Sequence, residues 1–135
     1  MKSDWKTRQF FRMWPRALFH MKQGKAVLKA SLNKPGVYIL YRDDVPYYVG
    51  KADKLRRRLW AHAMKPEARY YNFWNFFSAF VVADPDQRNE VEGILISAMP
   101  TANSAQPKLP KEKLPHEVIK MVRKIRNDRA NPIRD

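Results

Sequence analysis

The chain contains no cysteine and has few acidic residues for its size. Its 135 residues include 27 Lys and Arg against 13 Asp and Glu, which gives a formal net charge of +14. Without cysteine, neither disulfides nor cysteine-based zinc sites can form. No apolar run approaches the roughly 18 residues of a membrane helix, and the N-terminus lacks the apolar core of a signal peptide. We therefore expect a cytoplasmic protein with no membrane partner.

The shortage of acidic residues leaves a large excess of positive charge. Such an excess favours a polyanionic partner, and nucleic acid before a membrane surface. A ribosome-associated or merely basic protein is the alternative. The length suits one domain with a real core, and the sequence shows no internal repeat.

The segment 35–63 organises the rest of the chain. β-branched and aromatic residues predict strands over 37–41 and 47–51, with turn-forming residues between them. Asp53 is a suitable N-cap for a helix over 54–64, in which apolar residues recur at helical spacing. The segment therefore predicts a β-hairpin followed at once by a basic helix.

The register of this hairpin decides whether two tyrosines can serve one site. Tyr38 and Tyr48 share a face only if the connection around Asp43 and Asp44 has an odd length, three or five residues. A regular two-residue turn would place them on opposite faces, because a slip of one residue flips every side chain. We expect the odd-length connection.

Three consecutive arginines lie on the predicted helix. In helical projection Arg58 and His62 flank the apolar face, whereas Arg56 and Arg57 point away from it. Arg58 is thus held towards the hairpin. The alternative is that all three arginines are solvated surface charges.

The hairpin and helix together resemble the GIY-YIG endonucleases. The residues that carry the resemblance are Gly36-Val37-Tyr38, Tyr48-Val49-Gly50 and Arg58. The resemblance covers about residues 35–103. It implies an α/β (α+β) domain with a small, mainly antiparallel three-stranded sheet flanked by helices.

A second informative residue lies on a later helix. Residues 76–83 predict a buried third strand, and Asp84 is a suitable cap for a helix over 85–99. Val91, Ile94, Leu95, Ala98 and Met99 form its predicted core stripe. Glu92 falls within this apolar arc, where a carboxylate is costly unless a metal, a cation or hydrogen bonds compensate it. A salt bridge from Glu92 to Arg58 or a lysine is the alternative to a metal, and Glu90 is a lesser candidate ligand.

The resemblance implies hydrolysis of phosphodiester bonds in nucleic acid, with DNA favoured over RNA. It implies one divalent ion, Mg²⁺ or Mn²⁺, held by Glu92. Tyr38 and Tyr48 would activate water and position the phosphate, Arg58 would stabilise the phosphate, and Lys51 and His62 would assist. The remaining expected positions are site supports at Gly36, Gly50 and Asn103, and nucleic-acid contacts at Lys54, Arg56 and Arg57. The alternative is a binding module on the same fold that does not cut.

The flanks of the nuclease-like domain 35–103 lie outside the resemblance. Residues 1–34 alternate large aromatics with basic residues, which predicts a helical arm that packs on the sheet in preference to stacking on bases. Residues 104–135 predict a linker rich in Pro and Lys, followed by a basic helix from about 116 to 129.

Overall fold

The computed structural model of the protein describes residues 9–68, 72–99, 101 and 113–130. Its elements, in chain order, are β1 (Phe10–Pro15), a 3-10 helix (Arg16–His20), α1 (Lys22–Leu32), β2 (Gly36–Arg42), β3 (Val45–Ala52), α2 (Leu55–Met64), β4 (Phe76–Val81), α3 (Pro85–Ala98) and α4 (His116–Ala130). This is the expected α/β class. Within the described ranges, no helix is long and apolar enough to span a membrane.

The sheet has four strands rather than the predicted three. All pairings are antiparallel, in the order β1-β4-β2-β3. The extra strand comes from the segment predicted as a helical arm, and it pairs with β4, so that Phe10 stacks on Phe80 with 4.5 Å between ring centroids. The arm becomes helical only after Pro15. Large apolar side chains spaced for a strand, and the free edge of β4, outweigh the local helical signals here.

One face of the sheet is covered by α2 together with the 3-10 helix and α1. Leu55, Leu59 and Ala63 of α2 are buried there against Leu40 and Phe77. Phe19, Leu28 and Leu32 complete this layer, and Phe11 and Trp14 pack against it. The expectation that the N-terminal aromatics pack into the core is confirmed for these residues.

The opposite face of the sheet is covered by α3. Val37, Ile39 and Val49 are buried on this side, against partly buried α3 residues that include Val91 and Leu95. The predicted stripe is wrong at Ile94 and Ala98, which are exposed, whereas Ile96 packs on the core. The helices that carry Arg58 and Glu92 therefore lie on opposite faces of one thin sheet.

The β2–β3 hairpin has a two-residue turn and a β-bulge. Arg42 pairs with Val45 and Tyr41 with Pro46, yet Leu40 pairs with Tyr48, so Tyr47 is an extra residue in β3. The predicted odd-length loop is therefore wrong, but its consequence is confirmed, because the bulged residue restores the parity that puts Tyr38 and Tyr48 on one face.

Asn75, just before β4, fixes the turn of this hairpin. Its side chain accepts a hydrogen bond from the Asp43 backbone N–H at 2.7 Å and donates one to the Asp43 carboxylate at 2.9 Å. Asp43 adopts a positive φ of 57°, a conformation that Asp tolerates better than most residues. The turn is thus held from outside the hairpin.

The starts of α2 and α3 differ from one another. Asp84 caps α3 as predicted, since its carboxylate accepts from the Asp86 N–H at 2.9 Å. The predicted cap at Asp53 is wrong: α2 has Lys54 at its N-cap with no side-chain bond, and the Asp53 carboxylate instead accepts from Arg88. Arg88 is buried and also donates to the carbonyls of Val82 and Ala83, which ties the start of α3 to the end of β4.

Candidate active site

Tyr38 occupies the centre of the candidate site. It lies on β2 directly opposite Gly50 of β3, and only 2% of its surface is exposed. A Cβ added at Gly50 would lie 2.3 Å from both Cζ and Oη of Tyr38, a distance that side chains do not tolerate. Gly50 is therefore required because the Tyr38 phenol lies across its backbone.

Tyr38, Tyr48 and His62 form a compact triangle of rings. Their centroids are separated by 5.5 Å from Tyr38 to His62, 5.9 Å from Tyr48 to His62, and 6.2 Å between the tyrosines. A buried hydrogen bond of 2.8 Å joins Tyr38 Oη and His62 Nε2. His62 is one of the buried residues of α2. The indole N–H of Trp74 also donates a hydrogen bond to the His62 backbone carbonyl at 3.4 Å.

This environment strongly raises the pKa of the Tyr38 phenol. Burial is the largest cause, because it disfavours the phenolate, and the neighbouring Tyr48 and Glu92 act in the same direction. The Arg58 guanidinium opposes the shift without cancelling it. Tyr38 therefore remains a neutral phenol in the resting protein.

Charged residues from both faces of the sheet meet the tyrosines in one cleft. The cleft has a volume of about 420 Å³, and its lining includes Tyr38, Tyr48, Lys51, Arg58, His62 and Glu92. It lies at the β3 edge of the sheet, where side chains from the α2 face and the α3 face can converge. The four groups for which a common cleft was expected, Tyr38, Tyr48, Arg58 and Glu92, are thus brought together.

Glu92 lies at the α3 side of this cleft. Its carboxylate is 22% exposed, and its Oε1 is 3.9 Å from the Lys51 ammonium. Lys51 also donates a short hydrogen bond to the Asn89 side chain, one turn before Glu92 on α3. The salt-bridge alternative for Glu92 therefore holds only as a long contact to Lys51, which leaves the carboxylate open to the cleft.

The donor set fits a cation that keeps much of its own water. Among the residues that line the cleft, Glu92 supplies the carboxylate. No group of three His, Cys, Asp or Glu residues in the described part of the chain could enclose a metal ion. Mg²⁺ is commonly bound through one or two carboxylates while it retains several waters, so a single glutamate suits it.

The other described residues that were expected to serve the site do not line this cleft. Gly36 lies where β2 meets β4, and a Cβ there would be 1.9 Å from the Phe80 carbonyl oxygen, so its role is structural. Lys54, Arg56 and Arg57 line neighbouring clefts on α2. Glu90 is exposed and does not line the active-site cleft. Asn103 lies outside the described residues.

Sequence reasoning missed two residues that support the site. Asn89 holds the Lys51 ammonium, and its only signal in sequence is its position three residues before Glu92 on a predicted helix. Trp74, which is fully buried, holds the end of α2 through the His62 carbonyl. Trp74 lies between the predicted helix 54–64 and the predicted strand 76–83, and nothing in the sequence indicates this contact.

The family model described as the GIY-YIG catalytic domain matches residues 34–106, which is more than half of the chain. The chain belongs to the GIY-YIG family. The match begins just before β2 and includes the hairpin, α2, β4 and α3, which are the elements that carry the GIY-YIG cleft.

Solved structures of a GIY-YIG domain are also similar to this chain, at low sequence identity. The GIY-YIG N-terminal endonuclease domain of UvrC from Thermotoga maritima, bound to its catalytic divalent cation magnesium, is 26% identical, with 58% of this chain and 91% of that chain covered and a TM-score of 0.47. A point mutant of the same domain, bound to its catalytic divalent cation, is 24% identical, with 58% and 90% covered and the same TM-score. Comparison with curated proteins gives no significant match.

Proposed function

We propose that this protein is a divalent-metal-dependent endonuclease that hydrolyses phosphodiester bonds in nucleic acid, with DNA as the polymer. One observation carries the proposal: two tyrosines, a histidine, an arginine and a glutamate from four different elements converge on a single cleft. The membership of the GIY-YIG family supports a nuclease in particular, and the net charge of +14 supports a polyanionic substrate.

Arg58 is the group that would hold the scissile phosphate. It is exposed at the mouth of the cleft, and a guanidinium can give a phosphate two parallel hydrogen bonds. Lys51 adds a second positive charge next to Glu92. Charge that develops on the phosphate oxygens during attack would be stabilised by these fixed cations.

Tyr38 and His62 would handle the proton of the attacking water. A neutral phenol cannot accept a proton unless it releases its own, and His62 Nε2 at 2.8 Å is placed to take it. In this proposal His62 carries its proton on Nδ1. The water proton passes to Tyr38 Oη, the phenol proton passes to His62 Nε2, and the new P–O bond forms as the bond to the leaving oxygen breaks. Tyr48, half-buried at the cleft, would position the phosphate.

Glu92 would hold the divalent ion. When bound, the ion would offset negative charge on the phosphate and on the leaving oxygen. When no ion is present, Lys51 would keep the Glu92 carboxylate oriented, because its ammonium contacts Glu92 and is itself held by the Asn89 side chain.

The proposal is tested by strand scission of plasmid DNA and of an RNA of matched length, with Mg²⁺, with Mn²⁺ and with chelator. Glu92→Gln should lower the metal-dependent rate by about a hundredfold or more, whereas Glu90→Gln, which changes an exposed glutamate two residues away, should cut like wild type. Arg58→Ala should lower the rate of strand scission by a similar factor. Binding in chelator should survive in Glu92→Gln, because loss of a negative charge does not weaken phosphate attraction.

Two results would contradict the proposed reaction, and a third would contradict the choice of DNA. Equal cutting by Glu92→Gln and wild type would remove the metal-ligand role. If wild type bound nucleic acid tightly but cut it under no metal condition, the protein would instead be the alternative, a binding module that does not cut. Faster cutting of RNA than DNA would change the polymer and leave the reaction intact.

A further inference from the structure

Trp60 lies on α2 outside the active-site cleft. Its indole is 43% exposed, although Leu59 and Ala63 on the same helix are fully buried. A single exposed aromatic needs no explanation by itself. The position of Trp60 between basic side chains is what gives its exposure a meaning.

Trp60 forms a wall of two clefts, here called the Trp60 clefts. One has a volume of about 620 Å³ and contains Lys54, Arg57, Arg58 and Lys65 as its cations. The other, of about 370 Å³, is lined by Asn33, Lys54, Arg56 and Arg57 together with Trp60. Asp53 supplies the carboxylate in the larger cleft, and it is already bound to Arg88. The surroundings of the indole are therefore strongly cationic.

One weak contact and one missing hydrogen bond indicate that these cations can serve a ligand. The Lys65 ammonium lies 5.9 Å from the centroid of the Trp60 ring, which is a weak contact that a planar ligand can displace. The Arg56 Nε is buried and has no hydrogen-bond partner in the described structure. Neither the Lys65 ammonium nor the Arg56 Nε is held by a strong contact in the described structure.

The larger Trp60 cleft adjoins the active-site cleft. Arg58 and Ala61 line both cavities. Trp60 and Arg58 also line the same larger cleft, although they are two residues apart on the helix. A strand whose phosphate is held by Arg58 therefore brings a neighbouring nucleotide to Trp60.

The chemistry of this surface selects an unpaired base. Stacking on an exposed aromatic beside phosphate-neutralising cations is how proteins bind single-stranded nucleic acid. In an intact duplex the faces of the bases are occupied by their neighbours, and only an unpaired or displaced base can lie on an indole. An acidic peptide would satisfy the cations but would make no use of the ring.

We infer that Trp60 is the stacking platform for an unpaired base next to the phosphate held by Arg58. The protein therefore prefers substrates with a single-stranded segment, such as gaps, flaps or branches, over continuous duplex. The inference rests on the proposed function for the strand seated at Arg58, but stacking itself requires no cleavage.

The test is a binding measurement with the full chain in chelator, so that cutting does not intervene. The probes are a duplex with a short unpaired gap that carries 2-aminopurine and the same duplex fully paired. Wild type should bind the gapped probe more tightly and quench its fluorescence. Trp60→Ala should weaken binding of the gapped probe on the order of tenfold, abolish the quench and leave the paired probe unchanged.

Two variants complete this test. Trp60→Phe, which keeps a ring, should retain most of the preference. Phe10→Ala removes another exposed aromatic, one that lies outside both Trp60 clefts, and should behave like wild type. Equal weakening of both probes by Trp60→Ala, no weakening of either, or displacement of the probe by polyglutamate in a Trp60-dependent manner would overturn the inference.

The same experiment separates this inference from the proposed function. A Trp60-dependent preference without scission in Mg²⁺ or Mn²⁺ would sustain the inference and reject the nuclease. Metal-dependent scission without that preference would sustain the nuclease and reject the stacking role.

Discussion

At the scale of single residues, the fit between Gly50 and Tyr38 is the most demanding contact of the site. Gly50→Ala would place a methyl group 2.3 Å from the Tyr38 hydroxyl, so the phenol must move away from His62. We expect a loss of about 1–3 kcal/mol in the free energy of unfolding, as for other overpacked positions, and a fall of at least about tenfold in the rate of strand scission. Urea unfolding and plasmid cleavage measure the two effects.

Gly93 provides the matched control for this substitution. It lies within α3 beside Glu92, and a Cβ added there meets nothing within 4 Å. Gly93→Ala should raise the free energy of unfolding by about 0.5–1 kcal/mol, because alanine favours the helix, and should leave cutting unchanged. Equal activity of the Gly50 and Gly93 variants would show that the Tyr38 contact is unimportant.

Tyr38 also gives the protein a specific response to alkali. Its pKa is raised in the folded state, so above about pH 10 the unfolded chain loses this proton while the folded chain keeps it. The free energy of unfolding should then fall as the pH rises. The slope in wild type should exceed that in Tyr38→Phe by about 1.4 kcal/mol per pH unit. Denaturant titrations from pH 9 to pH 11 (roughly the window set by the reference pKa) measure that slope. Identical slopes in the two proteins would show that burial does not hold the proton.

Most of the candidate site could be predicted from the resemblance to the GIY-YIG family, because the two short glycine–tyrosine motifs and Arg58 that carry it lie within 23 positions of one another, from 36 to 58. Glu92 was found because a carboxylate in an apolar helical arc needs a compensating partner. The hydrogen bond between Tyr38 and His62 and the role of Asn89 could not be predicted, since both depend on how α2 and α3 are seated on the sheet.

At the scale of secondary-structure elements, Arg88 joins β4, α3 and the start of α2. It is buried and donates to two backbone carbonyls, whereas the carboxylate of its partner Asp53 is 98% exposed. Arg88→Met should lower the unfolding free energy by about 2 kcal/mol, because the carbonyls of Val82 and Ala83 lose their partner.

Asp53→Ala should change the unfolding free energy by less than about 0.5 kcal/mol, despite the 2.9 Å contact, because exposed ion pairs contribute little. Thermal or urea unfolding of the two variants measures both values. Equal destabilisation by Arg88→Met and Asp53→Ala would show that the ion pair, and not the backbone contacts, holds these elements together.

The elements themselves were predicted best where local pattern and tertiary environment agree. The β2–β3 hairpin, α2, β4 and α3 follow from alternation, helical spacing and the Asp84 cap. The strand β1 could not be predicted, because its partner β4 lies more than 60 residues away and pairs Phe11 with Ala79. The bulge at Tyr47 was hidden for a similar reason, since Asn75 fixes the turn from outside the hairpin.

At the scale of the whole molecule, the positive charge extends to α4. This helix has no extensive contact with another described element, and its apolar residues Met121 and Ile125 are more than half exposed. Changing Lys120, Arg123, Lys124 and Arg126 to Gln should therefore leave the unfolding free energy within about 0.5 kcal/mol of wild type.

The same four changes should weaken binding to all nucleic-acid sequences alike. The slope of log affinity against log salt should become shallower by about 0.9 for each duplex phosphate contact that is lost. Titrations at several salt concentrations measure this slope. An unchanged slope would show that α4 does not face the nucleic acid.

The bulge at Tyr47 also distinguishes the native hairpin from a second register that the same turn permits. If the strands zipped regularly from the same turn, Tyr47 would take the place of Tyr48 opposite Leu40, and Val49 would come to lie opposite Tyr38. That competitor puts a branched side chain where even one added carbon lies 2.3 Å from the Tyr38 ring. Because only glycine leaves room for the Tyr38 phenol, the native register with Gly50 opposite Tyr38 is favoured over the slipped register with Val49 there. A chain that lacks Gly50 loses this discrimination, and it would refold as a mixture of registers, only one of which brings both tyrosines to the cleft.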